Sequence, residues 1–367
     1  MFNSIYSGKK VLITGHTGFK GSWLTAWLTK MNASVCGVSI DIPTSPSLFE
    51  ILGLEDKISH NQVDVRDLEK LSEIVETFQP DFIFHLAAQA IVSTSYADPL
   101  GTITTNIIGT TNILEAARKL KNKCAIVMIT SDKCYENVEW EWGYRETDSL
   151  GGKDIYSASK GAAEVIISAY VRSFYNNDSS SHLRVATGRA GNVIGGGDWA
   201  MDRIVADAVR SWNMGKPVKI RSPDATRPWQ HVLEPLSGYL LLGDRLYSDV
   251  ALHGQSFNFG PLSERNKTVE ELLQDLSKIW GLTSKEQVFS VVEKIPFNEA
   301  GLLRLVCDKA TFHLKWSANM PYSECVTTVG EWYREYYNGG SDMLDFTYSQ
   351  IKAYEGLAKA RGLVWAE

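Results

Sequence analysis

The sequence predicts an α/β fold, a doubly wound parallel sheet followed by a smaller mixed α/β C-terminal lobe, and three observations carry that expectation. Short β-branched apolar runs alternate with longer helical patterns through the first half. A glycine-rich turn lies between the first apolar run and the first helical one. The alternation stops near residue 190, after which Gly-, Pro- and Trp-rich loops separate only a few helices.

Taken in order, "KKVLIT" reads as a strand and "FKGSWLTAWLTK" as the helix that follows it. "SVCGVSI" is the next strand, "DFIFHLA" precedes the helical "TTNIIGTTNILEAARKL", and "CAIVMIT" precedes "IYSASKGAAEVIISAYVRSF". Continuous apolar runs of this kind suit strands buried on both faces, and right-handed crossovers then place helices on each side of the sheet. Beyond "HLRVATGRAGNVIGGGDW" the clearest helices are "DRIVADAVRSWNM" and "TVEELLQDLSKIW". The expected division is a sheet domain over 1–190, a second lobe over 191–345 interleaved with it, and a helical tail over 346–367. The absence of a repeat, a low-complexity tract or a long linker predicts that the lobes share an interface.

The totals narrow the function classes. A chain of 367 residues, 44% hydrophobic, can bury a sizeable core. With 37 basic against 43 acidic residues, a net charge of −6 and no basic run, it lacks the footprint of a nucleic-acid binder. Five cysteines without CxxC or Cys/His spacing argue against a disulfide framework or a metal site. The N-terminus passes straight into a strand-like run with no apolar signal core, and no segment is long enough to span a bilayer. The expectation is a soluble cytoplasmic protein with no membrane or nucleic-acid partner and no metal.

"VLITGHTGFKGSW" places Gly15, Gly18 and Gly21 between a strand and a helix, with Thr17, Phe19 and Lys20 among them. The three glycines serve a tight turn, close approach of backbone amides to a pyrophosphate, and helix-to-strand packing, so a dinucleotide and a Rossmann-like sheet are expected. Asp41, at the end of the next strand, suits the two ribose hydroxyls of NAD and would repel a 2′-phosphate. Lys20 fits either attraction of a 2′-phosphate or a bond to the diphosphate. Further along, "VDVRD" puts Asp64 and Val65 after a third strand, where a carboxylate can accept from the adenine amino group. "HLAAQ" ends the fourth strand with Leu86, Ala87, Ala88 and Gln89, small enough at the alanines for a ribose to lie against the backbone, and Thr105 on the following helix joins the cofactor set.

Two further segments carry chemistry. In "DIYSASKGAAE", Tyr156 and Lys160 stand four apart at the start of a helix and share a face. A tyrosine with an ordinary pKa of about 10 acts as a base at neutral pH only beside a positive charge, which Lys160 and a nicotinamide ring can both supply. In "VMITSDKCYEN" an apolar strand ends on a hydroxyl, a carboxylate and an amine, Ser131, Asp132 and Lys133.

"TGHTGFKG", "HLAAQ", Ser131 and "YSASK" together resemble the extended short-chain dehydrogenases/reductases, the family of nucleotide-sugar epimerases and dehydratases. The resemblance implies that Ser131 bonds the sugar 4-hydroxyl, Tyr156 removes its proton and Lys160 orients the nicotinamide ribose. Within that family an epimerase needs only the first of the three strand-end groups, whereas the 4,6-dehydratases add an acid and a base directly after it. Asp132 would then protonate the departing C6 hydroxyl and Lys133 would remove the C5 proton, although most of these dehydratases carry Glu at the latter place. "GHTGFKGSW", "TSDKCY", "GNVIGGGDWAMDR" and "RPWQHVLEPLSGY" narrow the resemblance further and make CDP-glucose the substrate to expect, in deoxysugar synthesis for surface polysaccharide. For the nucleoside diphosphate it implies roles for Asn192, Arg227 and His231, with Asp198, Trp199, Arg203 and Arg221 as further substrate contacts. It also implies a homodimer, or a dimer of dimers, joined through the helix after the fourth strand and the Tyr156 helix.

Overall fold

The computed structural model describes residues 1–175, 182–261, 267–292 and 302–367. The first half contributes β1 (Lys10–Thr14), α1 (Phe19–Lys30), β2 (Ser34–Ser39), α2 (Leu48–Ile51), β3 (Ser59–Gln62), α3 (Leu68–Phe78), β4 (Phe82–His85), α4 (Val92–Ala97), α5 (Pro99–Ile103), α6 (Gly109–Ala117), β5 (Cys124–Ile129), α7 (Ile155–Phe174) and β6 (Leu183–Ala190). The second adds the short strands β7 (Val193–Ile194), β8 (Val218–Ile220), β9 (Thr226–Arg227) and β10 (Gln230–His231), with α8 (Ile204–Asn213) between the first two of them. It continues with α9 (Leu233–Ser248), β11 (Ser256–Phe259), β12 (Lys267–Thr268), α10 (Val269–Trp280), α11 (Lys285–Val288), β13 (Phe289–Val291), α12 (Asp308–Leu314), α13 (Tyr322–Asn338) and α14 (Met343–Ala360).

Seven strands form one sheet in the order β11-β6-β5-β4-β1-β2-β3, and every pair in it is parallel. The central strands are apolar and buried along their length because helices cover both faces, as β5 with six buried residues in a row illustrates. Two apolar layers result. One packs α1, α9 and the C-terminal helices against one face; the other packs α3, α6 and α7 against the opposite face. Strand β11 comes from the second half of the chain yet completes the sheet beside β6, so the main sheet draws on both halves. At the C-terminus, α14 lies on α1, where Trp27 Nε1 donates to Glu355 Oε1 at 2.8 Å and Lys30 pairs with the same carboxylate at 2.7 Å.

The stretch read as one helix after β4 is interrupted. Between α5 and α6, residues Thr104–Ile108 widen into a π-helical turn, the kind of local expansion that re-aims side chains at functional sites. The expected helix at "TVEELLQDLSKIW" begins with a full capping box, Thr268 with Glu271, and ends on Gly281 at φ 88°. Among the described residues no helix is long and apolar enough to cross a membrane, and no group of three or more His, Cys, Asp and Glu side chains is placed to hold a metal ion.

Candidate active site

Strand order reverses between β1 and β4, so the loops that leave their carboxyl ends diverge and open a crevice there. Gly15 turns the chain out of β1 at φ 76°, and a Cβ at that position would lie 2.8 Å from the backbone nitrogen of Ala87. Gly18 caps α1, and a Cβ on Gly21 would lie 2.0 Å from the Gly15 carbonyl oxygen, so the helix can begin this close to the turn only with glycine at 21. Thr17 anchors the loop to the end of β2, its hydroxyl donating to the Asp41 carbonyl at 2.7 Å, and the Asp41 side chain is exposed beside it. Thr14 accepts from the Ala87 amide at 3.2 Å and bonds His85 at 2.7 Å, which fixes the β4 exit against the glycine turn. A narrow turn that no side chain could fill, a helix N-terminus and an exposed carboxylate at the β2 end together fit a dinucleotide. Gly15→Ala should force the turn away from β4. The left-handed backbone alone costs a non-glycine residue about 1–2 kcal/mol, and NAD affinity measured by calorimetry should fall roughly tenfold or more.

The catalytic strand end follows from local hydrogen bonding. Thr130 continues the ladder for one residue, its amide donating to Gly188 O, and Ser131 then caps a 3₁₀ turn over Asp132–Cys134 by accepting from the Lys133 amide at 3.2 Å. That tight turn fans three consecutive side chains apart. Ser131 Oγ donates to Asp132 Oδ1 at 2.9 Å, and Gly191 leaves the room that Asp132 occupies, since a Cβ there would lie 2.8 Å from Oδ2. Opposite, Asp154 caps α7 by accepting from the Ser157 amide at 2.9 Å, so Tyr156 and Lys160 fall on its first two turns. Gly161 allows α7 to approach the turn, with its Cβ position 3.2 Å from the Cys134 carbonyl oxygen.

Burial sets the electrostatics. It pushes the Asp132 carboxyl above its usual range, against the pull of Lys133, the Ser131 hydrogen bond and Lys20. It also raises the Tyr156 phenol, which Ser131 by hydrogen bonding and Arg203 by charge draw back down. The cation that favours phenolate is therefore Arg203, at the start of α8, a residue expected among the substrate contacts. Burial lowers Lys160 to about 8, while Cys134 and Glu164 oppose the shift. Lys20 is also lowered to about 8, first by burial and then by Arg203 and Lys160, with Asp132 opposing. Its charged neighbours belong to the catalytic end of the crevice, not to the Asp41 end where a 2′-phosphate would lie. Both ammoniums hold their protons below that value, so kcat/KM should fall as pH rises through about 8, checked by a pH–rate profile.

Behind the strand end lies a cluster that the sequence reading missed. Glu164, one turn beyond Lys160, pairs with Arg189 of β6 through two bonds of 2.8 and 2.9 Å, and it accepts from Thr130 Oγ1 at 2.5 Å. Arg189 also reaches the Tyr135 hydroxyl at 2.8 Å. The pair is buried on both sides, and removing one partner of such a pair typically costs about 3–5 kcal/mol. A second brace runs through the π turn: Asn106 donates to Ser159 Oγ at 2.9 Å and to Gln89 O at 3.1 Å, tying the β4 loop to α7.

The expected contacts distribute unevenly. Ser131, Asp132, Lys133, Tyr156, Lys160, Lys20 and Arg203 converge at the crevice. Leu86, Ala87 and Ala88 line the β4 exit and are partly exposed. Asp64 is held by Arg66 at 2.6 Å, and Val65 is buried against Gly109. Gln89 is a correction: its side chain donates to Ile91 O and Thr102 Oγ1 and accepts from the Ile91 amide, so it braces its own loop. Trp199 is another, because it is buried among Trp332, Tyr333 and Tyr336 as core. His231, expected beside the diphosphate, is fully buried edge-on to Trp23 and accepts from the Leu233 amide. Asn192, Asp198, Arg221 and Arg227 lie in the loops and short strands that follow β6, with Asp198 beside the charge of Arg203. There Arg221 and Ser93 both bond Asp202, at 2.8 and 2.7 Å, across the two halves of the chain.

Comparison with known proteins agrees with this geometry. Residues 12–329 match the family described as GDP-mannose 4,6 dehydratase. The chain is 45% identical over 353 residues to the CDP-glucose 4,6-dehydratase of Salmonella typhimurium, covering 96% of this chain and 97% of that one. It is 25% identical to the dTDP-glucose 4,6-dehydratase of Haemophilus influenzae over 88% of this chain and 97% of that one. Among solved structures, the dTDP-glucose 4,6-dehydratase DesIV of Streptomyces venezuelae, crystallised with NAD and TYD, superposes with a TM-score of 0.76 at 20% identity, covering 91% and 99% of the two chains. The UDP-glucose 4-epimerase of Thermotoga maritima gives 0.75 at 23% identity, covering 89% and 99%. These two likenesses establish the fold.

Proposed function

The chain belongs to the GDP-mannose 4,6-dehydratase family of extended short-chain dehydrogenases/reductases, and from that membership we propose that it is an NAD-dependent hydro-lyase converting CDP-glucose to CDP-4-keto-6-deoxyglucose. One observation favours dehydration over epimerisation. Asp132 is a buried carboxyl shifted toward its protonated form and bonded to Ser131 at the end of β5, and Lys133 follows it directly. An epimerase has no chemical use for that pair. The choice of CDP-glucose is supported by the 45% identity to an enzyme of that name over nearly the whole chain.

The residues divide the work as follows. Gly15, Gly18 and Gly21 with the α1 amides hold the diphosphate of NAD, Asp41 bonds its adenosine ribose, and Lys160 orients its nicotinamide ribose. When bound, NAD supplies the hydride chemistry, accepting hydride from C4 and returning it to C6. Ser131 orients the 4-hydroxyl and Tyr156 takes its proton, the charge of Arg203 favouring phenolate against the burial that raises the phenol. The C4 ketone so formed acidifies the C5 proton, which Lys133 removes while Asp132 protonates the departing C6 hydroxyl. Arg203, Arg221, Arg227 and Asn192 surround the nucleoside diphosphate. We place the enzyme in the cytoplasm, supported by five free cysteines, and as a homodimer, supported by exposed Ile108, Val165 and Phe174 next to α6 and on α7.

Incubating the protein with CDP-, dTDP-, UDP- and GDP-glucose and detecting the keto product tests the assignment. Strong turnover of CDP-glucose is expected. Strong turnover of a purine-linked sugar with none of CDP-glucose would overturn the substrate and leave the chemistry standing.

A further inference from the structure

Asp132, Gly191 and Gln230 line a small cavity just beyond the ends of β5, β6 and β11, and the rest of its described lining is proline, glycine and leucine. The space open to the centre of a water is about 10 Å³, the size at which a cavity begins to hold one water. Its two polar side chains are almost fully buried, Asp132 at 4% and Gln230 at 2% exposure. The Gln230 amide is fixed by Nε2, which donates to Phe259 O at 3.3 Å, whereas its Oε1 has no hydrogen-bond partner among the described residues. Buried polar atoms are nearly always paired, so this oxygen calls for a donor. At Asp132, Oδ1 accepts from the Ser131 hydroxyl, which leaves Oδ2 to carry the acid proton. Gly191 puts that oxygen beside the cavity, since a Cβ there would lie 2.8 Å from Oδ2.

We propose that this cavity receives the water released from C6 and that Gln230 positions it by accepting one of its hydrogens, an inference that rests on the dehydratase reading. In the elimination the C6–O bond breaks with its electron pair on oxygen, and the electrons of the C5–H bond become the C5–C6 double bond. Lys133 holds the C5 proton, and Asp132 Oδ2 gives its own proton to the leaving oxygen. The water so formed has two hydrogens, and the cavity offers two acceptors, the new Asp132 carboxylate and Gln230 Oε1. Water that stays at C6 can add back across the double bond, so a place that takes it up favours the forward direction.

Gln230→Leu, or Gln230→Met should the branched side chain not pack, removes the amide acceptor. In the holoenzyme kcat for CDP-glucose should fall roughly tenfold with KM unchanged, the effect of one buried hydrogen bond. The nicotinamide absorbance change of C4 oxidation on mixing should keep its rate. A second substrate, the CDP-glucose analogue with fluorine in place of the C6 hydroxyl, separates positioning from packing. Its leaving group departs as hydrogen fluoride, whose single hydrogen stays with the Asp132 carboxylate, so Gln230 has nothing to accept. The variant should therefore turn over the analogue within about twofold of the unsubstituted enzyme. A glutamine that only fills space would slow both substrates alike. Equal loss on the two substrates, or no loss on CDP-glucose, would overturn the role. Failure of the unsubstituted enzyme to form a 6-deoxy product would break the dehydratase reading instead, which is a separate result.

Discussion

Lys133→Met should separate oxidation from dehydration. With Ser131, Tyr156, Lys160 and Arg203 intact, mixing the variant with CDP-glucose should still give the nicotinamide absorbance change of C4 oxidation. Formation of the 6-deoxy product should fall by roughly 10²- to 10⁴-fold, the contribution of a positioned general base. The reasoning is positional. Lys133 follows the buried carboxyl Asp132 in a 3₁₀ turn capped by Ser131, and that turn packs against α7, which carries Tyr156 and Lys160. A 4-epimerase built on the same fold predicts the opposite, nearly intact turnover in the variant. Stopped-flow absorbance together with product analysis distinguishes the two.

Tyr156→Phe should remove both signals. In the proposed reaction the Tyr156 oxygen is the acceptor for the first proton, and no later step can begin until the C4 ketone exists. Loss of product by roughly 10²- to 10⁴-fold is expected, now with loss of the absorbance change on mixing. Binding of CDP-glucose, measured by calorimetry, should change little, because the ring stays buried at the start of α7 and only one oxygen is lost. An absorbance change that survives in Y156F would assign the first proton to another group.

Much of this was legible in the sequence because the informative residues are neighbours in the chain. The parallel sheet shows itself as apolar runs such as "CAIVMIT", since a strand covered on both faces has no polar side to display. Gly15, Gly18 and Gly21 declare the tight turn between β1 and α1 because backbone geometry admits nothing else at 15 and 21. Tyr156 with Lys160, and Ser131 with Asp132 and Lys133, are local patterns. What escaped depends on distance along the chain. Glu164 and Arg189 lie 25 residues apart and meet only because α7 crosses beside β6. Trp199 and His231 stand beside glycine and proline in loop-like segments and read as ligand contacts. Trp332 and Trp23, far away in sequence, are what make them core. Arg203 reads from the sequence as a substrate contact, whereas the groups its charge influences include Tyr156 and Lys20, a relation no spacing encodes.

The central claim is that hydrogen removed from C4 of the hexose returns to C6 of the same molecule. CDP-glucose deuterated at C4, turned over by the holoenzyme and read by NMR or mass spectrometry, tests it directly. Deuterium in the C6 methyl group of the keto product, with no net reduced cofactor, is the predicted outcome. Product that keeps its C6 hydroxyl, or a C6 methyl group carrying only solvent hydrogen, would contradict it.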